Sequence, residues 1–526
     1  MRPQSSIVLL ALAAGLTGAA CTDLLVEDPK GFTTTDTFYK TGADLNSATL
    51  AIYNAIRGLQ GFGNWPNLEL ASDQARADSR EPNATTKSGD PIAWDASFGQ
   101  TGGYWNVMYS VITRANLVLG NGPGIATSNQ TMKDYNLAEA KFFRAYAYLW
   151  LTKLYDAVPL LLSSEEQANP RPARTPVEEV HQAVIQDRSD AVAALPAAWP
   201  GTDGYGLPTQ GRVTKAAAQM ALTDLYLWRS SFMSTNEWQL ASAWADSVIR
   251  SPISGLNDNY FATFATTNKG NREMILVIPN TGKDGRTSSP WQLFYYPRDW
   301  GIDAWGGWGL IHPTNWFYNS YLPGDYRREV GTGISAQAGY LSGGCSGGGQ
   351  CVATFGDGPM PWKYRKTDNG ASWPLGDVDA PLYRYAEALL MYAEAQNELG
   401  NSGVAVQYLN MVRARARKGT GAENRAEPHD YGTAGESIDV LSVRDAIYME
   451  RAWELAFEAK RWFDLVRRDN LPGQAGYWRN SLVAHDPNFD PNANPPRLPP
   501  PEHKKRFPIP QAQITANPSL TQNPGY

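Results

Sequence analysis

Arg384-Tyr385-Ala386-Glu387-Ala388-Leu389-Leu390-Met391-Tyr392-Ala393-Glu394-Ala395 is the stretch whose reading decides the fold. Apolar and small residues recur here at helical spacing, and no Gly or Pro interrupts the pattern before Gly400. Gly400-Asn401-Ser402-Gly403 then separates it from a second helical pattern. The spacing predicts helices over 380–399 and 403–417. So short a connection folds two amphipathic helices back on each other as an antiparallel hairpin. The segments 214–229 and 237–250 read as another such pair. Ala145, Ala147, Ala218, Ala221, Ala393 and Ala395 lie where helices would touch.

Upstream, four further helical faces are legible. They are Leu45, Ala48, Ile52, Ile56 and Leu59; Trp105, Met108, Ile112, Ala115 and Leu119; Ala140, Phe143, Ala147, Leu151 and Leu154; and Val177, Val180, Val184, Ala191 and Leu195. Pro176 stands near the start of the fourth face and Pro196 closes it. A further helix is expected over 441–468. The fold class is therefore mainly α, a helical body of stacked tetratricopeptide-type hairpins whose period is irregular. Between 251 and 378 the periodicity fades into a loop- and Trp-rich insertion with few short strands, Glu273 to Ile278 being one. Residues 470–526 are rich in Pro and Asn and read as an extended tail wrapped on the body. The expected organisation is a leader at 1–20 and one domain at 21–526. That domain has a helical part over about 21–250, the insertion over about 251–378, and a helical part with tail over about 379–526.

Of the 526 residues, 46 are Lys or Arg and 52 are Asp or Glu, a formal net charge of −6. A nucleic-acid binder would carry a basic stripe, so that class is excluded. The 18 Trp are a surplus over what a core needs, and large aromatics in excess point to recognition of flat, amphipathic partners such as sugars or peptides. Arg2, the apolar run Ile7 to Ala14 and the small residues Gly18-Ala19-Ala20 form a secretory signal too short to remain as a membrane span. Cys21 directly after the cleavage site reads as the acylated cysteine of a bacterial lipoprotein, although Gly18 stands where Leu is usual. An ordinary secretory signal with a stray Cys is the alternative. If Cys21 carries lipid, Cys345 and Cys351 remain, and a Gly-rich loop in an oxidising compartment would let them close a local disulfide. The five His show no metal-ligand spacing, and no cofactor is expected.

Several blocks together resemble SusD/RagB-family outer-membrane lipoproteins. They are Cys21 to Pro29; Ala138-Glu139-Ala140-Lys141-Phe142-Phe143-Arg144-Ala145-Tyr146 with Leu154-Tyr155-Asp156-Ala157-Val158-Pro159; the opening stretch; Glu450-Arg451 through Glu454 and Glu458 to Arg461-Trp462-Phe463-Asp464; and Gln522-Asn523-Pro524-Gly525-Tyr526. Asp156 or its neighbour stands where typical members have Gly. The resemblance implies a helical body and a ligand site in the irregular region. It implies a non-enzymatic, lipid-anchored protein at the outer membrane, facing outward over a SusC-like TonB-dependent barrel, with a glycan as the usual cargo and peptides in some members.

Glu139, Arg144, Arg384, Glu394, Glu450, Arg451, Glu458 and Arg461 sit on otherwise apolar helices, where arginine's planar fork can hold carboxylates, so ion pairing between helices is expected of them. A glycosidase carboxylate pair would need a cleft instead, which makes a surface glycoside hydrolase the rival reading. For ligand contacts the candidates are Trp300, Trp305 and Trp308, each beside a glycine that leaves ring faces uncovered, and Trp65, Asp73, Arg76, Arg80 and Trp94 in the loops before the 104–119 helix. Alternating oxygen ligands at Asp486, Asn488 and Asp490 resemble a calcium loop. Two prolines interrupt it and the EF-hand glycine is missing, so the stretch reads as a turn-rich loop first and a calcium site second.

Overall fold

The structure is a computed structural model and describes residues 35–61, 64–77, 92–168, 171–282, 289, 291–295, 309–328, 341–342, 360–361, 363–364, 376–419, 424–433, 435–437 and 440–526. The signal segment, Cys21, Cys345 and Cys351 fall outside them.

Twelve helices frame the fold: α1 Gly42–Ile56, α2 Trp65–Leu70, α3 Gly99–Asn121, α4 Gln130–Tyr155, α5 Val177–Ala194, α6 Lys215–Phe232, α7 Trp238–Ile249, α8 Tyr385–Glu398, α9 Ser402–Ala416, α10 Val443–Glu454, α11 Arg461–Arg468 and α12 Tyr477–His485. Their starts obey local chemistry. Thr41 and Asp44 form a reciprocal capping box on α1, Asn129 accepts the Met132 N–H on α4, and Ser442 accepts the Asp445 N–H on α10. From α3 to α9 each helix packs on its successor, so the hairpins stack in chain order, with α4 in the middle touching α1, α3, α5 and α6. The small residues expected at helix contacts, Ala145, Ala147, Ala218, Ala221, Ala393 and Ala395, are all fully buried. Among the described residues no helix is long and apolar enough to cross a membrane.

Six short strands pair as three antiparallel ribbons among the described residues. β1 Ala75–Ala77 pairs with β3 Ile311–Pro313, β2 Met274–Ile278 with β6 Ala380–Arg384, and β4 Leu341–Ser342 with β5 Met360–Pro361. The second ribbon corrects the expected 380–399 helix: its first five residues are strand, because β2 supplies a partner more than a hundred residues upstream. The expected 441–468 helix is likewise two helices. Between α10 and α11 the chain turns through Phe457 and Ala459, both at positive φ (61° and 56°). The turn brings Glu458 to Arg384 and Lys460 to the Leu382 carbonyl. Tertiary ion pairing thus overrides helix propensity.

The charged residues of the helix blocks are paired in the interior. Arg384 donates to Glu273, Glu454 and Glu458 at 2.8–3.0 Å, and Arg415 reaches Glu273 and Glu454 as well. Arg327 joins Glu454 to Glu450 and Asp325, and Arg413 closes on Glu450 at 3.0 Å. Elsewhere Arg144 binds Asp187 bidentately, Glu139 holds Arg212, Glu394 holds Arg467, and Arg451 holds Asp464. All eight residues are thus ion-paired, but the pairs run from helix to helix, as expected, at Arg144, Glu394, Glu450 and Arg451; Arg384 pairs from a strand end and Glu458 from a turn, while Glu139 and Arg461 pair with Arg212 and Asp73 in loops.

Asp156, the C-cap of α4, adopts φ 67° and ψ −130°, a conformation costly for any residue with a Cβ. Its carboxylate, 3.6 Å from Arg506, is half exposed. Asp156→Gly is expected to raise stability by about 1 kcal/mol, read as an upward shift of the thermal midpoint; an unchanged or lower midpoint would count against strain at this position.

Candidate ligand-binding site

The β1·β3 ribbon joins the two stretches of sequence that flank the candidate residues. Its register pairs Ala75 with Pro313, Arg76 with His312 and Ala77 with Ile311. In an antiparallel pair, the end of β1 lies beside the start of β3. Segment 78–91, with Arg80, therefore departs from the same end of the ribbon at which segment 296–308, with Trp300, Trp305 and Trp308, arrives. These four candidate residues lie outside the described residues, but their points of attachment do not. Gly309 and Leu310 donate their N–H groups to the Leu293 and Phe294 carbonyls, so the described residues on either side of 296–308 lie together. Trp291 is fully buried against Trp65, Tyr295 and Tyr364, with ring centroids 5.9, 6.1 and 4.5 Å away.

The other end of the ribbon is bolted down. Thr314 donates its N–H to the Gln74 carbonyl (2.9 Å) and its hydroxyl to the Asp73 carbonyl (2.8 Å). Asp73 binds Arg461 bidentately at 2.7 Å through both oxygens and accepts a bond from Ser481 at 2.6 Å. Burial alone would raise the Asp73 pKa; the Arg461 guanidinium outweighs it and holds the carboxyl well below its usual range.

Three of the expected ligand contacts are thereby corrected. Asp73 is fully buried and spent on Arg461. Trp94 is fully buried, donates its indole N–H to the Tyr526 hydroxyl at 3.0 Å and packs edge-on against Trp462 and Phe507. Trp65 is buried under Trp291. None of them presents a surface to a ligand. Arg76 differs from the ion-paired arginines of the core: it is half-buried, sits one residue from the loop end of the ribbon, and has no hydrogen bond or ion pair to a described residue. Trp316, which belongs to the same Trp-rich insertion, lies flat on His485 with centroids 3.6 Å apart.

Glu69, which the sequence did not single out, is fully enclosed at the end of α2. It accepts the Ala459 N–H and, at 2.6 Å, the Gln74 side-chain amide. Burial pushes its carboxyl up to about 7 despite these donors. Because the folded-state pKa lies above the ordinary value of 4.5, the folded state keeps a proton that the unfolded chain releases. This group's contribution to stability therefore falls as pH rises from about 4.5 to about 7. Glu69→Gln should remove that part of the slope, seen in urea midpoints measured across this range; an unaltered slope would contradict the assignment.

At the proposed calcium loop, Asp486 Oδ1 accepts the Asn488 N–H, Asp490 Oδ1 accepts the Asn492 N–H, and Asp490 Oδ2 lies 3.5 Å from Arg497. These are Asx turns with a surface ion pair. Among the described residues no three His, Cys, Asp or Glu side chains converge as a metal site.

Residues 335–526 match the family described as "SusD family", and residues 36–227 match the one described as "Starch-binding associating with outer membrane". The chain is 28% identical to SusD-like protein P2 of Formosa agariphila, over 97% of this chain and 98% of that one. It is 26% identical to starch-binding protein SusD of Bacteroides thetaiotaomicron, over 83% of this chain and 80% of that one. A solved structure described as a laminarin-binding SusD-like protein shares the fold with a TM-score of 0.71 at 24% identity, covering 93% of this chain and all of the other.

Proposed function

Because the chain belongs to the SusD/RagB family, we propose that it is a non-enzymatic lipoprotein of the outer membrane that captures oligosaccharides outside the cell and delivers them to a SusC-like TonB-dependent barrel. Cys21 is the lipid attachment point in this reading. The observation that carries it is the pairing of Ala77 with Ile311, which gives the Arg80 segment and the Trp300–Trp308 segment one common root. Indole faces in that position can stack on the C–H faces of sugar rings, and Arg76 is available to hydrogen-bond hydroxyls. Starch and laminarin, named for the relatives, are both glycans.

The buried carboxylates support a binding role over hydrolysis. Glu454 and Glu458 are enclosed and held by arginines, and Glu69, pushed up to about 7, is fully buried with both oxygens occupied. A glycoside hydrolase needs its acid in contact with substrate.

The test is a combined glycan and peptide array on the soluble mature protein, with a product assay alongside. Glycan binding without turnover is expected. Trp305→Ala with Trp308→Ala should weaken binding at least about 100-fold, as loss of two aromatic anchors does, at an unchanged thermal midpoint. Peptide binding alone, released sugar products, or undiminished affinity in the double variant would each overturn the reading.

A further inference from the structure

Where α2, α4, α6, β6, α8, α10 and α11 meet lies a partly open chamber of about 40 Å³. One water needs about 10–15 Å³ measured this way, so the chamber takes about three, and a sugar ring does not fit. Two buried donors that line it have no hydrogen-bond acceptor among the described residues: the Trp65 indole N–H and Nη1 of Arg451. Leaving such donors dry costs about 1–3 kcal/mol each, and more where the group is charged. An acceptor is at hand on the same wall, Glu387 Oε2, which lies 3.0 Å from Lys460 but receives no aligned hydrogen bond. The lining carries four Lys and Arg cations and four Asp and Glu carboxylates, so no net charge is left for an ion to compensate.

We infer that this chamber is a binding site for a small cluster of structural water that hydrogen-bonds Trp65 and Arg451 and links them towards Glu387. The occupant is neutral, polar and able both to donate and to accept, which water does and a halide does not. The cluster ties α2, which also contacts the ribbon, to α8 and α10. It stands independently of any glycan reading, since no residue of the β1·β3 ribbon lines the chamber.

The experiment is a high-resolution crystal structure of the mature protein grown in bromide. Density within hydrogen-bond distance of Trp65 Nε1 and Arg451 Nη1, with no anomalous signal, is the expected result. An anomalous bromide peak in the chamber, or an empty chamber, would overturn the inference. Trp65→Phe keeps the ring and removes the donor, so the water bound at that nitrogen should vanish while the others stay. Retention of a water at the same place in the variant would also count against it. If Trp65→Phe fails to fold, the wild-type crystal decides alone.

Discussion

Arg384→Ala should cost at least about 3–5 kcal/mol, the price of stranding buried charge. Arg384 is fully buried at the end of β6 and is shared by three carboxylates: Glu273 before β2, Glu454 on α10 and Glu458 in the turn after it. Removing the guanidinium leaves three enclosed acids with only Arg415, Arg327 and Lys363 to answer them. Urea unfolding of the variant measures the loss, and a change below about 1 kcal/mol would refute the view of Arg384 as the hub. The same hub sets an acid limit. Burial works to raise the Glu454 pKa, but Arg415, Arg384 and Arg327 prevail and hold it down to about 2. The folded-state value lies below the ordinary 4.5, so its stabilisation is complete above that pH and is lost as pH falls towards 2.

Asp73→Ala is expected to lose both stability and ligand affinity, and the coupling of the two is the informative part. Arg461 would remain buried without its bidentate partner, a loss of about 3–5 kcal/mol. The ribbon root, held by Thr314 on Gln74 and Asp73, would loosen, and with it the common origin of the two loop segments. A side chain that touched ligand directly would behave otherwise: affinity would fall while stability stayed. Equilibrium unfolding and glycan titration on the same preparation therefore separate a positioning residue from a contact residue. Lost affinity at wild-type stability would restore Asp73 to the binding surface.

Most helices were readable in the sequence because their apolar spacing is local. The Val177 to Leu195 face became α5 at Val177–Ala194, and the segments 214–229 and 237–250 became α6 and α7 nearly as drawn. The ion pairs were readable too, since charge on an apolar helix face has few other uses. What failed was whatever depended on distant partners. Residues 380–384 carry helical spacing but lie in a strand because Met274–Ile278 runs beside them. Trp94 looks exposed among polar neighbours, yet the groups that bury it, Trp462, Phe507 and Tyr526, lie more than three hundred and sixty positions away. Asp73 was legible as special and misread as to why, because its partner Arg461 had been assigned to a helix seam without an address. Helix α12, inside a tail expected to be extended, was missed because prolines flank it on both sides.

Residues 507–526 bear on when the helical body closes. The Phe507 N–H bonds the Leu154 carbonyl, the Gln511 N–H bonds Ala96, and Asn523 bonds the Tyr155 carbonyl, while Tyr526 caps the Trp94 indole. A chain emerging from ribosome or translocon thus keeps an open seam at the end of α4 and before α3 until residues 507–526 arrive. Contacts of such sequence separation form late and slowly. Nascent chains stopped short of residue 507 should accordingly be caught by chaperones or proteases, and stretches added behind Tyr526 should slow maturation far more than insertions in the exposed loop around Asn492.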